Sequence, residues 1–151
     1  MEESIKKLLE KLADIKFDEK IESPENENIL YLAYIGDAIY EVVTRDFLIK
    51  KYISKYKMNE IHKENVKLVC ANAEARIIES LVDTNFLTKD EIDFYKHARN
   101  AHSNTKSKNS GIVDYRKATG LEALIGLLYY KNDIERLVEI IKRINAIFDD
   151  I

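Results

Sequence analysis

The sequence has one cysteine, Cys70, one proline, Pro24, four glycines and no tryptophan. A lone cysteine excludes an internal disulfide and suits a reducing compartment; its expected place is as a small buried residue. So little proline and glycine leaves few turns from which to build a many-stranded sheet, which favours helices. No apolar run is both long and uncharged, so no membrane partner is expected. The acidic start, Met1-Glu-Glu-Ser, is the wrong form for export; the expected location is the cytoplasm. Three histidines, His62, His97 and His102, show no ligand spacing, and one cysteine cannot complete a zinc pattern. No serine nucleophile elbow, phosphate-binding glycine loop or dinucleotide fingerprint is present.

What is present suits one soluble helical unit. The chain has 151 residues, 46% hydrophobic and 34% charged, enough for one domain, residues 1–151, with a real core. The expected fold class is all-α, a single compact helical domain. The net charge of −3 argues weakly against nucleic acid, but its distribution is uneven. Met1 to Asn28 holds nine acids against five bases, leaving 18 acids against 19 bases in the remainder. Any basic surface must therefore be local.

Apolar spacing divides the chain into helices. Glu2 to Ala13 places Ile5, Leu8, Leu9 and Leu12 on one face. An acidic connector, Asp14 to Glu27, completes an N-terminal segment of residues 1–27. Ser23-Pro24 has the form of an N-cap and first helical position and marks a candidate early start for the next helix. After a turn at Ser54 to Met58, Asn59 to Leu68 carries Ile61, Val66 and Val69 inward. Ala71 to Val82 packs Ala75, Ile78 and Leu81, with a break favoured near Cys70. Thr88-Lys-Asp-Glu91 is a capping box for a helix reaching about Ala101. Residues 102–114 read as a polar, basic loop, after which Asp114 can cap the next helix. Asn132-Asp-Ile-Glu135 caps the last one, with Leu137, Ile140, Ile141, Ile144 and Phe148 on its face.

Two helices stand apart. Ile29 to Leu48 is apolar on nearly every face, as in a central buried helix, yet Asp37 sits in its middle beside Gly36. Glu41 and Arg45 follow at successive four-residue steps. One reading is an ordinary Glu41–Arg45 ion pair with Asp37 as a cap. The second helix, Ala118 to Tyr130, is almost wholly apolar, and Glu122 is its only charge between Lys117 and Lys131. Gly120 and Gly126 flank that acid. Glycine inside a helix costs about 1 kcal/mol relative to alanine, and close helix–helix approach is a common compensation. Such an approach would bring Asp37 and Glu122 together, and two adjacent carboxylates repel unless a divalent cation joins them.

Tyr34-Ile-Gly-Asp-Ala-Ile-Tyr40 and Glu122-Ala-Leu-Ile-Gly-Leu-Leu-Tyr129 resemble the two acidic motifs of the ribonuclease III catalytic domain. Ala33-Tyr-Ile-Gly-Asp37 and Arg99-Asn100-Ala101 look closer still to its short bacterial branch, Mini-ribonuclease III, which lacks a double-stranded-RNA-binding domain. The resemblance runs from about Asn28 to Tyr130. Ala33 and Thr119 stand where larger members have further acids, as in the short branch, which leaves few acids to substitute for Asp37. The resemblance implies the ribonuclease III endonuclease fold and a homodimer. It also implies Mg2+, with Mn2+ as a substitute, on Asp37 and Glu122 as catalytic residues. The implied task is cleavage of double-stranded RNA to 5′-phosphate and 3′-hydroxyl ends, in maturation of precursor large-subunit ribosomal RNA, with room for a ribosomal-protein helper.

The segment from Lys96 to Lys117 holds six bases, Lys96, Arg99, Lys106, Lys108, Arg116 and Lys117, against one acid, Asp114. Asn100 and the intervening serines and asparagines can also contact phosphate oxygens. Duplex RNA is read chiefly through its backbone and 2′-hydroxyls, and these side chains suit that task. A solvated linker has the same composition. Two other functions therefore stay open: a catalytically silent RNA-binding module, and a helical interaction protein whose acids sit in structural ion pairs. Retention of both acids favours the enzyme.

Overall fold

Two long helices with few charges must cross to hide their apolar faces, and the chain folds around that crossing. The computed structural model describes residues 2–15, 21–101 and 110–150. Within them lie α1 (Glu2–Ala13), α2 (Ile29–Tyr52), α3 (Met58–Leu68), α4 (Ala71–Asp83), α5 (Lys89–Asn100), α6 (Ser110–Tyr130) and α7 (Ile134–Asp150). No strand occurs among the described residues, and the fold is all-α. None of these helices is long and apolar enough to cross a membrane.

α6 is the axis. It packs most extensively against α2, then against α4 and α5. Leu121, Leu124 and Ile125 of α6 are buried with Tyr40 and Val43 of α2, Ile77, Ile78 and Leu81 of α4, and Leu137, Ile140 and Ile144 of α7. Each large aliphatic side chain buried this way contributes about 1.5–3 kcal/mol. A smaller cluster, including Leu32, Ala98, Ala123 and Leu127, fills the space where α2, α5 and α6 meet. α1 lies on α7 through Ile5 and Leu9, tied by Lys6 to Glu135 at 3.2 Å.

Several boundaries follow the local chemistry read from the sequence. Thr88 and Glu91 form the capping box at the start of α5, with bonds of 3.2 and 2.9 Å. Asp133 accepts from the Arg136 amide at 3.4 Å and caps α7, while Asn132 turns the chain in the left-handed region at φ 57. The expected break at Cys70 separates α3 from α4. Ser23-Pro24 opens only a 3₁₀ turn, Pro24–Asn26, with no side-chain cap. α2 begins at Ile29, where the Asn28 side chain accepts from the Leu30 amide at 2.9 Å. Other expectations give way. Residues 110–114 belong to α6 and not to the expected loop; Lys106, Lys108 and the rest of 102–109 lie outside the described residues. Val66, Cys70, Leu8 and Leu12 are exposed, on the sides of α1, α3 and the α3–α4 turn that face away from the core.

The α2 helix is not wrapped on all sides. Leu30, Tyr31, Tyr34, Val42 and Ile49 are exposed, Tyr34 at 84%. They form an apolar stripe down the face turned away from α6. Asp37 is itself exposed, not buried.

Candidate metal centre at the α2–α6 crossing

Gly36 and Gly126 allow the two helices to touch backbone to backbone. A Cβ on Gly36 would fall 1.7 Å from the Glu122 carbonyl oxygen, and one on Gly126 would fall 2.0 Å from that of Leu32. No side chain fits at either place. Gly120 faces the ring of Tyr95 on α5 instead. The close crossing sets Asp37 of α2 beside Glu122 of α6.

A third acid joins them. One carboxylate oxygen each from Asp37, Glu74 and Glu122 lies within 4.8 Å of the other two. Glu74 stands in the first turn of α4 and is 2% exposed. Its Oε2 is buried with no hydrogen-bond partner among the described residues. Neither acidic motif contains it, and reading the motifs alone misses it. The signal was present in periodicity: residues 74, 77, 78 and 81 share one face of α4, and the other three are core aliphatics. An acid in register with a core stripe is out of place unless it has work to do.

The electrostatics express that conflict. Burial, then Glu122 and Asp37, push the Glu74 carboxyl up to about 10. Burial, then Asp37, push Glu122 up to about 7. Burial and Glu41 raise Asp37 above the ordinary carboxylate range. Glu41 itself pairs with Arg45 at 2.9 Å and accepts from the buried Asn65 amide at 3.5 Å. The ordinary ion-pair reading thus holds for Glu41 and not for Asp37, which has no cation paired to it among the described residues. Three converging carboxylates, one with an orphaned buried oxygen, are the donor set of a hard divalent cation.

The basic residues are placed less uniformly. Lys96 is exposed on α5. Near the end of that helix, Arg99 Nε donates to the Asn100 side-chain oxygen at 3.3 Å, and its guanidinium lies 5.6 Å from the Tyr95 ring centre. Lys117 of α6 is paired with Glu79 of α4. Arg116 is partly buried on the same helix. Asp114 is no cap; it stands on α6 and accepts from Asn72 of α4 at 3.1 Å.

Residues 30–133 match the family model described as the ribonuclease III domain. The chain is 42% identical to a Mini-ribonuclease 3 of Clostridium tetani over 82% of this chain and 80% of that protein. The chain belongs to the ribonuclease III family, in its Mini-ribonuclease III branch. The Mini-ribonuclease 3 of Brevibacillus brevis is 39% identical, covering 87% of this chain and 96% of the relative. That of Staphylococcus aureus is 37% identical over 82% and 90%. A Fusobacterium nucleatum protein of known crystal structure superposes with a TM-score of 0.63 at 27% identity, over 78% of this chain and 90% of that one. As a family member the chain is a ribonuclease III-type endoribonuclease acting on RNA.

Proposed function

We propose that this Mini-ribonuclease III homologue is a metal-dependent nuclease for double-stranded RNA, with Asp37 and Glu122 as its catalytic metal ligands. The observation that supports this most is the meeting of Asp37, Glu74 and Glu122 within 4.8 Å, with no cationic side chain in an ion pair with them among the described residues. Asp37 and Glu122 would hold Mg2+ or Mn2+. When bound, such an ion supplies charge to neutralise the scissile phosphate and an activated water, giving 5′-phosphate and 3′-hydroxyl ends. Asp37 is open to solvent, so an RNA phosphate can reach the site from that side.

Substrate positioning falls to Lys96, Arg99, Asn100, Arg116 and Lys117, with Lys106 and Lys108 from the segment outside the described residues. They bind backbone and 2′-hydroxyls without reading sequence. Lys117 would exchange Glu79 for phosphate. The exposed stripe of Leu30, Tyr31, Tyr34, Val42 and Ile49 supports a homodimer, because a two-fold contact pairs one patch with its own copy. Two copies give two sites, one per RNA strand. The cellular role proposed is maturation of precursor large-subunit ribosomal RNA in the cytoplasm, helped by a ribosomal protein.

The deciding experiment incubates the protein with a duplex RNA and its single strand, with Mg2+ or with chelator. Cleavage of the duplex alone, abolished by chelation and by Asp37→Asn, is the expected result. Duplex binding without cleavage would return the chain to a silent RNA-binding module.

A further inference from the structure

Glu74 reaches the site from a helix that does not take part in the glycine crossing. Its carboxyl is hydrogen-bonded with Glu122 while its Oε2 has no partner among the described residues, so its place also depends on where the backbone of the first turn of α4 is held. The Glu74 amide bonds back to the Cys70 carbonyl at 3.1 Å. Cys70 begins α4 without any side-chain cap. Two residues earlier, α3 ends at Leu68.

Tyr40 stands at that junction. It is 1% exposed, and its hydroxyl donates to the Leu68 carbonyl at 2.8 Å across the core. The last carbonyls of a helix have no partner within it, and no backbone amide outside the helices reaches this one among the described residues. Tyr40 follows Gly36 by one helical turn. One stretch of α2 therefore carries Asp37, seats the Glu122 backbone through Gly36, and grips the turn before Glu74 through Tyr40.

We propose that Tyr40 is a positioning residue for the metal centre, its bond to the Leu68 carbonyl fixing the start of α4 so that Glu74 completes the carboxylate cage. This rests on the metal-site reading above. Burial raises the phenol above its ordinary value, which favours the protonated, hydrogen-bond-donating form. α4 is also held by the Asn72 side chain, which donates to Asp114 of α6 at 3.1 Å, and further along by Ile77, Ile78 and Leu81 in the core. Loss of the hydroxyl should loosen the first turn and spare the fold.

The test is calorimetric titration of MnCl2 into metal-free wild type, Tyr40→Phe, Glu74→Asp, Glu74→Gln and Tyr40→Phe/Glu74→Gln, with steady-state cleavage of duplex RNA beside it. Tyr40→Phe should weaken Mn2+ binding roughly 10- to 100-fold, the usual cost of losing a group that orients a ligand. It should lower kcat and leave KM for the duplex unchanged. Glu74→Asp keeps the charge but withdraws it by one methylene, and should lose Mn2+ affinity likewise. In a Glu74→Gln background the hydroxyl should no longer matter to Mn2+ affinity, since its effect runs through Glu74. Tyr40→Phe with a lower melting temperature but wild-type Mn2+ affinity and kcat would make Tyr40 a core residue only. Full Mn2+ affinity in Glu74→Asp would also overturn the proposal, even were Tyr40→Phe not to fold. Wild type that cleaves RNA without binding Mn2+ would instead overturn the metal-site reading beneath it.

Discussion

Gly36 and Glu122 are in backbone contact: a single methyl on Gly36 would sit 1.7 Å from the Glu122 carbonyl oxygen. The obstacle is another helix's main chain, which cannot swing aside like a side-chain tip. Overpacking a well-packed site costs about 1–3 kcal/mol, and backbone as the obstacle puts Gly36→Ala at or above the top of that range. Its melting temperature should fall, and cleavage by the protein that remains folded should fall further, because Asp37 and Glu122 are pushed apart. A Gly36→Ala protein with wild-type activity per folded molecule would show that the crossing does not position the acids.

Asp37→Asn and Glu122→Gln keep shape and remove charge. Each should lose cleavage by orders of magnitude while binding duplex RNA as before. In metal-free protein each should also raise the melting temperature, since a repelling carboxylate is gone. Both properties are to be measured on the same samples. Activity that simply tracks the folded fraction would make the acids structural.

Metal-free stability should depend on pH in a defined direction. Glu122, held up near 7, and Glu74, held up near 10, bind protons more tightly folded than unfolded, where both take their ordinary 4.5. Their contribution is complete below that ordinary value and is lost as pH rises through the raised ones. The melting temperature of chelator-treated protein should therefore fall from about pH 5 to about pH 8, and saturating Mg2+ should flatten or reverse the decline. A thermal-shift series with no difference between the two conditions would count against an ion between these acids.

Tyr34 is 84% exposed on the α2 stripe. Tyr34→Glu with Val42→Asp should convert a dimer into a folded monomer, read by light scattering and unchanged circular dichroism. Wild type that is monomeric at micromolar concentration would remove the dimer from the proposal.

Lys106→Ala with Lys108→Ala should weaken duplex binding and reduce the salt dependence of affinity by about one unit of slope per lysine. Unchanged affinity and slope would make the segment a linker.

The helical class, most helix bounds and the pairing of Asp37 with Glu122 were legible from residue order. Capping chemistry at Thr88–Glu91 is local, spanning one turn. The 3.6-residue period of α7 names its own buried face. Glycines beside lone acids in two apolar helices pointed to the crossing, since close approach is a common compensation for them; Gly36 and Gly126 serve it, and Gly120 meets Tyr95 instead. Tertiary structure decided what depends on neighbours far along the chain. Asp37 is open and Tyr34 bare because α6 covers only one side of α2. Cys70 and Val66 face out because none of the described residues packs over them. Glu74 joins the site because α4 lies against α6, and Tyr40 meets Leu68 because α3 ends beside α2. Each of these is the presence or lack of a contact between residues whose spacing along the chain carries no information about their distance in space. Local periodicity tells which side of a helix is apolar; only the fold decides what, if anything, is placed against it.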